Sequence, residues 1–96
     1  MVIEIKVGDV VLSRMGRDQG RYFLVTSVVN SDYVTVADGE VRKVGKPKLK
    51  KKKHLKVEGS NLEVLAEKFL QGKQVFDSEL RSALRKFNEQ SEVKSV

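Results

Sequence analysis

The residues of this 96-residue chain that could do chemistry are its lysines and arginines, which outnumber its acidic residues by 19 to 13. Their distribution is uneven, because residues 1–59 contain 13 Lys and Arg against 7 Asp and Glu, whereas residues 60–96 contain 6 of each. Residues 42–56 (RKVGKPKLKKKKHLK) contain nine basic side chains and no acid. A block of like charge stays solvated unless an anionic partner neutralises it, so this pattern predicts binding to nucleic acid.

A second basic group surrounds a turn in residues 8–28 (GDVVLSRMGRDQGRYFLVTSV). Gly16 and Gly20 flank the turn, and glycine adopts the positive φ values that tight turns require. We therefore expect a curved loop between two apolar strands that presents Arg14, Arg17 and Arg21 to a ligand. The alternative is a solvated loop without a binding role.

These two segments supply all the predicted nucleic-acid-binding side chains. They are Arg14, Arg17, Arg21, Arg42, Lys43, Lys46, Lys48, Lys50, Lys51, Lys52, Lys53 and His54, with Gly16 and Gly20 shaping the loop. Lysine attracts phosphate as a flexible point charge, so the run 50–53 favours affinity over sequence specificity, or only improves solubility. Unpaired bases could stack on Tyr22, Phe23 and Tyr33, although the surrounding β pattern favours burial of these rings.

Composition argues against other function classes. The chain has no cysteine and one histidine, so it offers no thiolate metal site, no disulfide and no convergent set of titrating groups for catalysis. We expect neither an enzyme nor a cofactor nor a small-molecule substrate. No apolar run approaches the length of a membrane span and the N-terminus does not resemble a signal peptide, so we expect a soluble, cytoplasmic protein.

Alternating and β-branched runs predict a small, strongly bent antiparallel barrel in residues 1–59. Asn30 to Asp32 should reverse the chain, and Asp38-Gly39 is typical of a tight hairpin turn. The predicted strands are residues 2–7, 10–12, 22–29, 33–37, 40–44 and 54–57.

Residues 60–96 have the spacing of two amphipathic helices. Ser60 and Glu63 form a capping-box pattern at the start of the first helix, Gly72 ends it, and Asp77 begins the second. The tail from Glu89 has no apolar pattern, so we expect it to fray. The predicted apolar faces are Leu62, Leu65, Ala66, Phe69 and Leu70, then Leu80, Ala83, Leu84 and Phe87.

Residues 8–28 resemble a KOW motif, the strand, glycine-containing loop and strand of ribosomal proteins and transcription elongation factors. Gly16-Arg17-Asp18 and Gly20-Arg21 match its loop, Arg42-Lys43-Val44 its basic strand end, and His54-Leu55 its closing pair. Residues 5–57 are similar to the large-subunit ribosomal protein fourteen-e family and its six-e and twenty-seven-e relatives. That family has several arginines between the last two elements, where this chain has mainly lysines.

The resemblance implies an SH3-like barrel in residues 1–59 that binds RNA, with ribosomal RNA as the expected partner and ribosomal proteins as further ones. Residues 60–96 match no ribosomal counterpart and are interpreted as a helical extension packed on the barrel. A core ribosomal protein and a ribosome-associated or bacterial relative both remain open. The alternatives are a protein-interaction module with an SH3-like barrel and a KOW-type transcription or translation factor.

Overall fold

In the computed structural model, the described residues are 4–93 for the backbone and 4–89 for the side chains. The chain forms five strands and a 3-10 turn, followed by two helices. They are β1 (Asp9–Ser13), β2 (Tyr22–Val28), β3 (Tyr33–Ala37), β4 (Lys48–Lys51), the 3-10 turn Lys52–His54, β5 (Leu55–Asn61), α1 (Glu63–Leu70) and α2 (Asp77–Val93). The sheet is antiparallel throughout, in the order β4-β3-β2-β1-β5. The predicted class, mainly β with C-terminal helices, is confirmed, but β4 and β5 remain edges and the sheet is not closed.

One face of the sheet encloses an apolar cluster. Val11 on β1 and Phe23 and Val25 on β2 are fully buried in it, because alternate residues of a strand point to the same face. β3 and β5, which lie on opposite sides of this central pair, also contribute to the cluster, so the sheet must curve around it. The inner cluster comprises Ile5, Val11, Phe23, Val25, Val34, Val36 and Leu55, with Val57 packed against it.

The two helices cover the opposite face of the same strands. Val10 and Leu24, the neighbours of Val11 and Phe23, pack against Leu65 of α1 and against Leu80 and Leu84 of α2. Sheet and helices thus share this outer cluster, and the predicted helical faces are confirmed apart from Leu70, which is 71% exposed. A hydrogen bond of 2.7 Å from Lys68 Nζ to Glu79 Oε2 links the helices and holds the pKa of Glu79 below its usual value.

The segment before β1 is not the strand that its alternation predicts. Residues 4–6 are irregular, and a turn follows in which the Lys6 N–H donates to Asp9 Oδ2 (2.8 Å) and the Asp9 N–H donates to the Lys6 carbonyl (3.0 Å). Ile5 is nevertheless buried in the inner cluster. The alternating sequence therefore places Ile5 in the core without forming a strand. Residues 2 and 3, which belong to the predicted strand, lie outside the described residues.

The hairpin predicted at Asp38-Gly39 is also wrong. Residues 39–42 form a bend instead of a strand, and β3 pairs with β4, ten residues further along the chain. The Asp38 carboxylate causes this, because its Oδ1 accepts the backbone N–H groups of Glu40 (3.0 Å) and Arg42 (2.9 Å). The N–H groups that donate to the aspartate side chain are then not available to pair with a neighbouring strand, as a hairpin would require.

The helix boundaries differ from the sequence prediction at two points. Ser60 belongs to β5, and the residue before α1 is Leu62, which makes no side-chain cap but donates its N–H to the Gly8 carbonyl (2.9 Å). α2 begins at Asp77 as predicted, but it stays helical to Val93, so the predicted fraying is wrong for residues 89–93, and residues 94–96 of the predicted tail lie outside the described residues. Gly72, with φ +70°, follows the end of α1 as predicted.

We expect Gly39→Ala to lower the free energy of unfolding more than Gly20→Ala. Both glycines have φ near +80 to +90°, which costs an alanine about 1–2 kcal/mol. A Cβ at Gly39 would also overlap the Asp77 carbonyl oxygen, whereas nothing lies within 4 Å of one at Gly20. The overlap should add ~1–3 kcal/mol to the loss in free energy of unfolding caused by Gly39→Ala, as measured by urea denaturation. If both variants lose the same free energy of unfolding, α2 does not pack on this bend.

Candidate nucleic-acid interface

The loop between β1 and β2, residues 14–21, has the curvature that its glycines predict. Gly16 and Gly20 have φ values of +84° and +90°. Backbone hydrogen bonds from Gly20 to the Ser13 carbonyl (2.8 Å) and from Ser13 to the Arg21 carbonyl (3.0 Å) close the loop. Arg14 and Arg17 are exposed on it and available to a ligand.

Arg21, the third arginine of this loop, bonds within the protein. Its guanidinium forms ion pairs with Asp38, which is 1% exposed, and with Glu40. Burial by itself lowers the pKa of Arg21, but the hydrogen bonds and charges of these two carboxylates outweigh it and raise the pKa above the ordinary arginine value. Arg21 therefore joins the β1–β2 loop to the bend after β3 and is not displayed for a ligand.

Asp18 connects the same loop to two other basic candidates. Its Oδ2 accepts hydrogen bonds from Arg42 Nε (3.1 Å) and Nη2 (3.0 Å) and lies 3.6 Å from Lys50 Nζ. Only 11% of the Asp18 side chain is exposed, so both cations share one carboxylate at a largely buried site. The sequence places Asp18 between two arginines of the loop, but it does not show that its partners lie 24 and 32 residues further along.

Lys50 departs most from the expectation of a solvated lysine run. It is opposite Val34 in the β3–β4 pairing and so shares the inner face of the sheet, where it is 9% exposed. Its ammonium lies 3.5 Å from Ser13 Oγ in addition to its contact with Asp18. A charge this buried requires such partners, so Lys50 serves the fold.

The other predicted side chains remain at the surface. The fold brings some together: the Arg14 N–H donates to the His54 carbonyl (2.9 Å), and the Lys52 N–H donates to the carbonyl of Asp32 in the β2–β3 turn (2.8 Å). His54 and Lys52 are half-buried and the others exposed. We call the following set, of which Lys52 is half-buried and the other seven are exposed, the exposed cations: Arg14, Arg17, Lys43, Lys46, Lys48, Lys51, Lys52 and Lys53.

Four of the seven acids of residues 4–59 bond within the fold, whereas Glu4 and Asp32 are exposed. Asp9, Asp18, Asp38 and Glu40 all bond within the fold, Asp9 to the Lys6 N–H and to Asn61 Nδ2. Within the described residues, none of the exposed cations lies within 4 Å of a carboxylate oxygen. Folding thus leaves these eight cations without a direct carboxylate partner.

The aromatic side chains that could stack on bases are largely occupied. Phe23 is fully buried, as the sequence favoured, and the Tyr22 ring lies 5.6 Å from that of Phe87 on α2. Tyr33 is half-buried, with Lys51 Nζ 5.9 Å from its ring centroid. The residues around the exposed cations therefore supply charge much more than stacking surface.

Sequence reasoning missed the residues of α2 that hold the candidate loops. The N–H of Val44, in the segment between β3 and β4, donates to Asp77 Oδ1 (2.7 Å), and the Asn88 amide bonds both the N–H (3.0 Å) and the carbonyl (3.4 Å) of Tyr22. A shallow cleft of about 300 Å³ lies between Asn88 and the β1–β2 loop. An acid at a helix start and one asparagine are too common to signal these distant contacts.

Membrane-spanning and metal-binding elements are not found in the described part of the chain. No helix in residues 4–93 combines the length and apolar character of a membrane span, and the same residues gather no group of three His, Asp or Glu side chains able to hold a metal ion. No protein-family model matches this chain, and no curated protein matches it. The KOW resemblance therefore remains a prediction from the residues quoted above.

We expect Asp18→Asn to lower the free energy of unfolding by ~1–3 kcal/mol, because it leaves Arg42 and the buried Lys50 without their carboxylate. Asp32→Asn is the matched control, since Asp32 is an exposed acid on the β2–β3 turn and its loss should cost under ~0.5 kcal/mol. Urea denaturation of both variants measures the difference. If the two variants unfold alike, the Asp18 ion pairs contribute no net stability.

Proposed function

We propose that this protein binds RNA through phosphate contacts made by the exposed cations. The observation that carries the proposal is the charge pattern of the fold, in which four of the seven acids of residues 4–59 bond to groups of the protein, while none of the eight exposed cations has a carboxylate oxygen within 4 Å in the described residues. Phosphate oxygens are the abundant anionic groups that such a surface suits. The resemblance of residues 8–28 to a KOW motif favours RNA among nucleic acids, and ribosomal RNA and ribosomal proteins among partners in a cytoplasmic setting.

The chemistry of the exposed cations favours affinity over base recognition. Six of the eight are lysines, whose ammonium groups act as mobile point charges. Arg14 and Arg17 add guanidinium groups that form paired hydrogen bonds to phosphate. Because Arg21 and Arg42 bond internally, they hold the β1–β2 loop in place and leave direct contact to these two arginines.

A purely structural role for some of these lysines has to be separated from RNA binding. β4 is an edge strand, and lysines on an edge strand prevent pairing with other chains. Lys48 and Lys51 would meet that need without any ligand. Charge reversal distinguishes the roles, because glutamate protects an edge as lysine does but repels phosphate.

A protein-interaction module is the second candidate, and a separate observation favours it. Val64 on α1 is 71% exposed beside an apolar cleft of about 410 Å³ that Leu62, Leu65 and Ala83 also line. A partner docked there would be held by apolar contact, which salt hardly affects, whereas phosphate binding weakens steeply as salt rises.

We expect Lys51→Glu with Lys53→Glu to weaken RNA binding at least ~10-fold and to reduce the slope of log affinity against log salt by about 2, roughly one for each phosphate that is no longer neutralised. The matched control is Lys73→Glu with Lys86→Glu. Each double variant exchanges two positive charges for two negative ones, from +6 to +2, and each removes one lysine that lies over an aromatic ring. Filter binding across a salt series measures both quantities.

Two results would count against the proposal. Equal weakening by both double variants would show that only net charge matters and that the exposed cations form no site. RNA affinity of the unmodified chain that is insensitive to salt would favour the protein-interaction module. Circular dichroism spectra of the variants confirm that a loss of binding does not reflect unfolding.

A further inference from the structure

The aromatic residues of the chain constrain the form of RNA that the exposed cations can recognise. All six lie within the described side chains, so their positions are all known. Proteins that bind single-stranded RNA combine cations with exposed aromatic rings on which unpaired bases stack, at about 1–3 kcal/mol per base. Where those rings lie is therefore informative about the ligand.

Four of the six rings pack against the two apolar clusters. Phe23 belongs to the inner cluster, while Tyr22, Phe69 and Phe87 pack against the outer cluster between sheet and helices. Tyr22 is held further, because the Asn88 amide bonds its backbone on both sides. Phe23 is fully buried and the other three rings are half-buried, so none of the four is freely exposed to a base.

The two remaining rings do not form a stacking platform. Phe76 is 56% exposed, but it lies in the α1–α2 connection, where its N–H donates to Glu79 Oε1 (3.2 Å), in the part of the chain without net charge. Tyr33 is beside the exposed cations, yet it is half-buried and lies near the ammonium of Lys51. Among residues 4–89, the cations thus have at most one partly covered ring beside them.

We propose that the exposed cations recognise base-paired RNA by its phosphate backbone, and not unpaired bases. This inference rests on the proposed function and specifies its ligand. A double helix presents phosphates densely and in a fixed arrangement, which suits cations carried on a folded sheet and its loops. A flexible single strand loses more conformational freedom on binding and finds no set of rings here that would compensate for that loss.

The test compares two RNAs that carry the same number of phosphates, a hairpin with a stem of about 16 base pairs and an unstructured oligouridine. At equal salt, the full chain should bind the hairpin at least ~5-fold more tightly, with a steeper salt dependence, since each contact contributes about 0.9 to the slope on a duplex and about 0.7 on a single strand. Oligouridine bound as tightly as the hairpin would overturn the inference and leave the proposed function standing. If neither RNA binds, the proposed function fails, and this inference fails with it.

Tyr33 provides a second, independent measurement. Tyr33→Leu should leave the affinity for oligouridine within twofold, and Tyr33→Phe, which keeps the ring, serves as the matched control. Weakened oligouridine binding in the leucine variant alone, with an unchanged melting temperature, would show that bases stack on this ring and would overturn the inference. Phe76→Ala should leave the affinity for both RNAs unchanged, and a loss confined to oligouridine would overturn the inference in the same way.

Discussion

The packing of apolar side chains on both faces of β1 and β2 is the constraint on which the rest of this structure depends. Val11 and Phe23 face the inner cluster while their neighbours Val10 and Leu24 face the helices, and all four are fully buried. A single sheet that buries both faces needs an apolar cover on each of them, which curvature of the sheet itself or packed helices can supply. Both covers are present, supplied by the bent sheet and by α1 and α2.

This constraint also determines where the charges lie. With both faces of the central strands occupied by apolar residues, charged side chains are confined to the edges, the loops and the outer surface of the helices. The acids among them bond to nearby donors and cations, as Asp38 does with Arg21 and the bend after β3, and Asp18 with Arg42 and Lys50. The cations left without such partners give the surface its positive character, so packing and electrostatics have a common origin.

Elements with strong local signals were predicted correctly from sequence. β2 and β3 follow from runs of β-branched and aromatic residues, and the curvature of the β1–β2 loop follows from Gly16 and Gly20. The covering of both faces of β1 was indicated by its uninterrupted apolar residues, and the start of α2 at Asp77 by helical spacing. In each case the signal itself is carried by residues close together in the chain.

Tertiary structure alone decided which basic residues remain available to a ligand. In the sequence, Arg14, Arg21 and Lys50 are three basic residues with no sign of different roles. In the structure, Arg14 is exposed, Arg21 pairs with Asp38, and Lys50 is buried beside Asp18. Tertiary contacts also decided the conformation at Gly39. The Asp-Gly pair is typical of a hairpin, but the Asp38 carboxylate and the start of α2, which packs against Gly39, hold the chain in a bend. Sequence by itself determined the conformations of β1, β2, β3 and the β1–β2 loop and the charge excess of residues 1–59. The ion pairs of Arg21, Arg42 and Lys50 join segments 17 to 32 residues apart that meet only when the chain folds, so no local sequence pattern indicates them.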